Sequence, residues 1–116
     1  MTVRRMKTYT GGQGYVYQYY FVGKRPALEG AGTEYIFDVT SDRKTTYSVS
    51  VLLETAALQA WSLEHGRAPT EAEQYAAVKM RLFRAFDEIE DMMSVGRTLN
   101  VDQATLEEAF STLGVE

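Results

Sequence analysis

Tyrosine recurs on alternate positions through the first half of the chain: Tyr15, Tyr17 and Tyr19 lead to Phe21, Tyr35 to Phe37, and Tyr47 to Val49 and Val51. A period of two is the side-chain period of a β-strand, so the rings fall on one face of each of three strands. Few other features would restrict the fold as much. They demand an extended backbone and a hydrophobic layer for one sheet face to press against.

The spacing predicts strands over about 6–10 and 15–22, bracketing Gly11, Gly12, Gln13 and Gly14, a turn suited to positive φ and hence to a hairpin. Placing Thr10 opposite Tyr15 sets Met6 and Thr8 beside Tyr19 and Tyr17, and sends Arg5, Lys7 and Gln18 to the other face. That register sorts charge from rings, whereas a slip of one residue moves Lys7 and Arg5 among them. Two more strands, about 33–40 and 45–52, flank Ser41, Asp42, Arg43 and Lys44. For their rings to share a face the connecting loop must hold an odd number of residues, and such a loop usually wants a glycine that is missing here. Residues 23–32, rich in glycine and containing Pro26, read as a long connection between the hairpins.

Beyond Leu52 the period lengthens to about 3.6. Leu53, Ala56, Ala57, Ala60 and Trp61 form one stripe ended by Gly66. Thr70 followed by Glu73 is a capping box opening a second helix, whose apolar face reads Tyr75, Val78, Leu82, Ala85, Phe86, Ile89, Met92 and Met93. That helix runs either to Val95 or only to about Asp87. A last one follows Asp102, with Leu106, Ala109, Phe110 and Leu113 on one side and Gly114 at its end. Strands followed by helices without alternation predict one α+β domain over 1–116, a four-stranded antiparallel sheet of two hairpins packed on one face by two to three helices.

Little in the chain points to chemistry. The absence of cysteine excludes disulfides and thiolates and fits a reducing, cytoplasmic setting. No apolar run reaches membrane-spanning length, and the basic start is not followed by the apolar stretch of a secretory signal. Gly12 and Gly14 continue to Tyr17, and Gly30 and Gly32 to Tyr35, where a dinucleotide fingerprint requires glycine. His65, the sole histidine, sits beside Gly66 as a helix-end residue. Asp87, Glu90 and Asp91 share helical spacing, but a stripe of carboxylates on one helix is ordinarily a solvated face, and metal sites draw oxygens from several elements. No nucleophile has a recognisable base. No catalytic residue, cofactor or metal is expected, and a non-enzymatic role is favoured.

Two kinds of surface remain. The net charge of −4 divides unevenly, with seven Lys/Arg against four Asp/Glu up to Leu52 and five against twelve after it. Basic pairs therefore concentrate in the strand half, where Arg5, Lys7, Lys24, Arg25, Arg43 and Lys44 would serve a nucleic-acid role, although the overall acidity opposes one. The sheet face opposite the rings carries Val16, Tyr20, Val22, Ile36 and Leu52 among polar residues, more apolar bulk than a fully solvated face holds. Coverage by the last helix or by a second subunit would explain it. The leading expectation is a protein-binding domain, with a homodimer as its simplest form.

Overall fold

The computed structural model describes residues 6–116. The described residues form five strands and four α-helices: β1 (Lys7–Thr10), β2 (Val16–Pro26), β3 (Gly32–Thr40), β4 (Tyr47–Glu54), α1 (Thr55–His65), α2 (Glu71–Glu88), α3 (Met92–Val95), β5 (Thr98–Val101) and α4 (Gln103–Leu113). They make one sheet of order β1-β2-β3-β4-β5, antiparallel except where β5 runs parallel to β4. The fold is α+β, with the helices on one face of the sheet. α1, α2 and α3 form the crossover that a parallel pair requires.

The alternating residues occupy the helix face. Tyr17, Tyr19, Tyr35, Phe37, Val39, Tyr47, Val49, Val51 and Leu53 are all buried, and they meet Ala57 and Trp61 of α1, Val78, Leu82 and Phe86 of α2, and Leu106 and Phe110 of α4. Ring contacts bind the layers: Tyr17 stacks on Phe86 at 4.2 Å between centroids, and Trp61 meets Phe110 edge-on at 5.2 Å. Tyr15 is the exception. It stands ahead of β2, half exposed, with its ring edge-on to Tyr17.

The β1–β2 register differs from expectation by one residue, because Tyr9 faces Tyr17 and Lys7 faces Tyr19. Tyr9 accounts for the difference. It stacks on Phe83 at 4.4 Å, and its hydroxyl donates to both carboxylate oxygens of Asp87 at 3.0 Å. Lys7 is thereby carried onto the ring face, but at the sheet edge, where its amine reaches water and its stem covers the rings. Arg5 lies outside the described residues. The turn is a three-residue loop, closed by Gly11 N–H on the Tyr15 carbonyl at 2.8 Å, with Gly14 at φ 89°.

Three further elements depart from the reading. β2 continues through the glycine-rich stretch to Pro26, by way of a bulge between Phe21 and Gly23 that shifts its pairing with β3 by one residue. Lys24 and Arg25, expected in a connection, are therefore strand residues on opposite faces. Lys24 comes to the ring side, 5.7 Å over Tyr35, and Arg25 to the other. Leu53 belongs to β4 rather than to the first helix stripe. β5 has no counterpart among the expected strands, and it adds Leu99 and Val101 to the core. The β3–β4 ring positions do share a face, with Val39 opposite Tyr47. Arg43, at φ 63°, takes the left-handed position in place of glycine, and the Asp42 carboxylate accepts from the Lys44 and Thr45 amides at 2.8 Å.

The α2 boundary follows the shorter alternative. Thr70 and Glu73 form the reciprocal capping box, and the helix ends at Glu88, where Ile89 is already extended. Asp91 caps α3 by accepting from Ser94 N–H, and Asp102 caps α4 by accepting from Thr105 N–H.

Candidate protein-binding surface

Among the described residues every helix packs on the odd-numbered face, so none of them covers the even-numbered one. The last helix in particular lies against α1, α2 and β5. Coverage of the second face by α4 is thus corrected: its apolar side, Leu106, Ala109 and Phe110, is spent on the core.

Strand register positions the residues of that open face. Tyr20 faces Asp38, Ile36 lies between Gly23 and Ser50, and Leu52 lies beside Glu34. Residues two apart along neighbouring strands are close enough for large side chains to touch. Tyr20, Ile36 and Leu52 therefore form an oblique apolar stripe across β2, β3 and β4. All three are partly exposed, and Val22, in the bulge at the β2 end of the stripe, is 49% exposed. Val16 is separate. Gln18 and the start of the strand stand between it and Tyr20, so four of the five expected apolar residues come together and one does not.

Charged groups of both signs flank the stripe. Arg25 Nε donates to Glu34 Oε2 at 2.8 Å on one side. On the other, Arg97 Nε donates to the Ser48 carbonyl at 3.0 Å, and Asn100 Nδ2 donates to Glu54 Oε2 at 3.3 Å. A shallow groove lined by Arg25, Ile36, Ser48, Ser50, Arg97 and Thr98 follows the sheet across β4 to β5. Arg97 and Thr98 escaped notice in the sequence because Thr98 opens, and Arg97 immediately precedes, a strand that was not expected. A four-residue strand bearing only Leu99 and Val101 as apolar positions carries too short an alternation to separate from a loop.

Among the described residues the basic candidates do not gather. Lys24 Nζ pairs with Glu71 at 3.4 Å on the helix side, Arg25 is on the open face with Glu34, and Arg43 and Lys44 occupy the β3–β4 turn. That turn lies at the opposite end of the sheet from Lys24 and Arg25, roughly 20 Å away at about 3.3 Å per strand residue. Lys7 is on the helix side at the β1 edge.

The remaining candidates have structural roles. The glycine turn docks on the C-terminal end of α2: Gly12 N–H donates to Asp87 Oδ1 at 2.9 Å and Gln13 Nε2 to the Glu88 carbonyl at 3.3 Å. A helix C-terminus and a carboxylate repel anions, so the polarity is opposite to that of a phosphate loop. Asp87 lies in α2 whereas Asp91 caps α3, and among the described residues no three His, Asp or Glu side chains gather as metal ligands. His65 stacks on Trp61 at 4.2 Å, where α1 closes through Gly66 at φ 71°. Arg67 covers the same indole at 5.1 Å and forms a two-pronged pair with Glu73 at 2.8 and 3.0 Å. That pair, reinforced by the Thr70 amide, holds the Glu73 carboxyl down at about 2. Burial pushes the Tyr47 hydroxyl up to about 12.

Among the described residues no helix is long and apolar enough to cross a membrane. No family model matches the chain, and no curated protein and no solved structure matches it significantly.

Proposed function

We propose that this small globular domain works without catalysis by binding protein through its open sheet face, and that its partner there is a second copy of the same chain. The observation that carries the reading is the oblique stripe of Tyr20, Ile36 and Leu52 crossing three strands on a face that no helix of the domain covers. An antiparallel sheet tolerates one solvated face when that face is polar, and here Ser48, Ser50, Thr98 and Asn100 are, but the stripe is not. A second copy is favoured as the occupant because both signs of charge border the stripe, Arg25 and Arg97 against Glu34 and Glu54. A two-fold contact must be complementary to itself, which a patch of one sign cannot be.

Sedimentation equilibrium over a concentration series tests this. The dimer is expected for the unaltered chain, and Ile36→Lys or Leu52→Lys is expected to give a monomer with unchanged circular dichroism. A monomer at high micromolar concentration for the unaltered chain would sink the homodimer. Titration with single-stranded oligonucleotides across a salt series separates the other reading, since phosphate contacts must weaken steeply as salt rises.

A further inference from the structure

Arg25 and Arg97 come to the open sheet face from different strands, and both line the one groove of about 490 Å³ that follows it. Its floor is set by register. Ser50 lies between Ile36 of β3 and Thr98 of β5, and Ser48 stands two residues along β4 on the same face. Arg97 immediately precedes β5. Its Nε donates to the Ser48 carbonyl at 3.0 Å while its own carbonyl accepts from Ser50 N–H at 2.8 Å, so backbone and guanidinium are both fixed against β4. Arg25 arrives from β2, beyond the bulge that sets it on this face.

The chemistry of the lining is one-sided. An arginine carries five N–H donors, and among the described residues each of these two engages only Nε, Arg97 with the Ser48 carbonyl and Arg25 with Glu34 Oε2. Arg67 is the contrast, since its Nε, Nη1 and Nη2 are all bonded. The Nη groups of Arg25 and Arg97 are thus uncommitted, and the hydroxyls of Ser48, Ser50 and Thr98 stand with them as further donors. No carboxylate lines the groove. Among the described residues Arg97 has no carboxylate partner, whereas Lys24, Arg25, Arg67 and Arg84 each have one.

We propose that this groove binds a phosphate-type oxyanion, with Arg97 supplying the uncompensated charge, Arg25 a second guanidinium, and Ser48, Ser50 and Thr98 hydroxyl donors. Guanidinium forks fit phosphate oxygens two at a time, and a phosphate group has more oxygens than a carboxylate to share among so many donors. The ligand is small, because the other described basic candidates lie on the helix side or at the far end of the sheet and form no continued track for a nucleic-acid strand. It is either free phosphate or a monoester whose apolar group rests on Ile36. The site shares the open face with the proposed dimer contact but rests on different residues, Ile36 apart.

Calorimetric titration of the full chain with inorganic phosphate and with phenyl phosphate, at constant ionic strength set with chloride, tests the site. Saturable binding of at least one probe is expected, weakened about tenfold by Arg97→Gln and by Arg25→Gln. Lys24→Gln removes the same charge from the opposite face and should change nothing. Tighter binding of phenyl phosphate assigns the ligand to a ring-bearing monoester, and equal binding assigns it to free phosphate. The same titration on Leu52→Ser, a neutral change in the stripe outside the groove lining, separates this site from self-association. Binding by Leu52→Ser upholds the site whatever the state of association, so the two proposals fail separately. Absence of saturable binding for both probes in the unaltered chain and in Leu52→Ser overturns the proposal, as does binding that either arginine variant retains in full or that Lys24→Gln weakens equally. Circular dichroism of each variant confirms that the fold is intact; should Arg97→Gln not fold, Arg97→Lys keeps the charge, removes the fork and is expected to bind more weakly than the unaltered chain.

Discussion

Asp87 shows how much one side chain decides. Its carboxylate takes the Tyr9 hydroxyl and the Gly12 amide, tying the first hairpin to the far end of α2. Asp87→Ala leaves both donors without their acceptor, and a loss of about 1–3 kcal/mol is expected in urea unfolding. Gly11 lies beneath the same contact, where an added Cβ would stand 2.5 Å from the Phe86 carbonyl oxygen. Gly11→Ala should cost about 1–3 kcal/mol by overpacking. Both substitutions loosen one interface, so their double mutant should fall short of the sum. Glu73 supplies a pH signature. Its carboxyl is held at about 2 in the folded chain against 4.5 without partners, first by Arg67 and then by the Thr70 amide. A depressed carboxyl stabilises the fold above the unfolded value, and that contribution disappears as pH falls from about 4.5 towards 2. Thermal melts across that window should lose less stability on acidification in Glu73→Gln than in the unaltered chain. The exposure of the pair keeps the difference small.

Among the elements, α2 was the most legible and β5 the least. Eighteen residues give the 3.6-residue period several turns in which to show itself, and the capping box marks the start. Thr70→Ala should therefore cost about 1 kcal/mol, read from denaturant midpoints. β5 exists because the crossover returns Leu99 and Val101 to the vacant edge of β4, where both are buried. Leu99→Ala should cost about 2–5 kcal/mol in the same measurement, a penalty no surface loop would show. The β2 bulge was equally hidden. Lys24 and Arg25, read as loop residues, lie on the strand beyond the bulge, and the inserted residue sets which face each takes because it inverts every side chain that follows it.

At the scale of the whole molecule, the core carries Tyr17, Tyr19, Tyr35 and Tyr47 buried among its aliphatic side chains, and this gives it an alkaline limit. Burial raises the hydroxyls of Tyr17, Tyr19, Tyr35 and Tyr75 above the usual value, and that of Tyr47 to about 12. The unfolded chain releases these protons near pH 10 while the folded one retains them, so stability is full below about pH 10 and declines as pH rises towards 12. Tyrosinate absorbance should rise together with the loss of near-ultraviolet dichroism in that range. The open face is also a property of the whole, since it becomes visible only when the destination of all four helices is known.

The alternation of rings over three strands, the change of period after Leu52 and the capping signals were enough to establish strands, helices and the buried parity. These are local signals, carried by residues within a turn or two of each other. The hairpin register, the bulge and the fifth strand came from packing. Each depends on which distant surface a side chain finds: Tyr9 on Phe83, Leu99 beside Val51. A sequence records each residue's chemistry and its neighbours along the chain, but the partners that choose between two nearly equal local arrangements are far away in the chain and close only after it has folded.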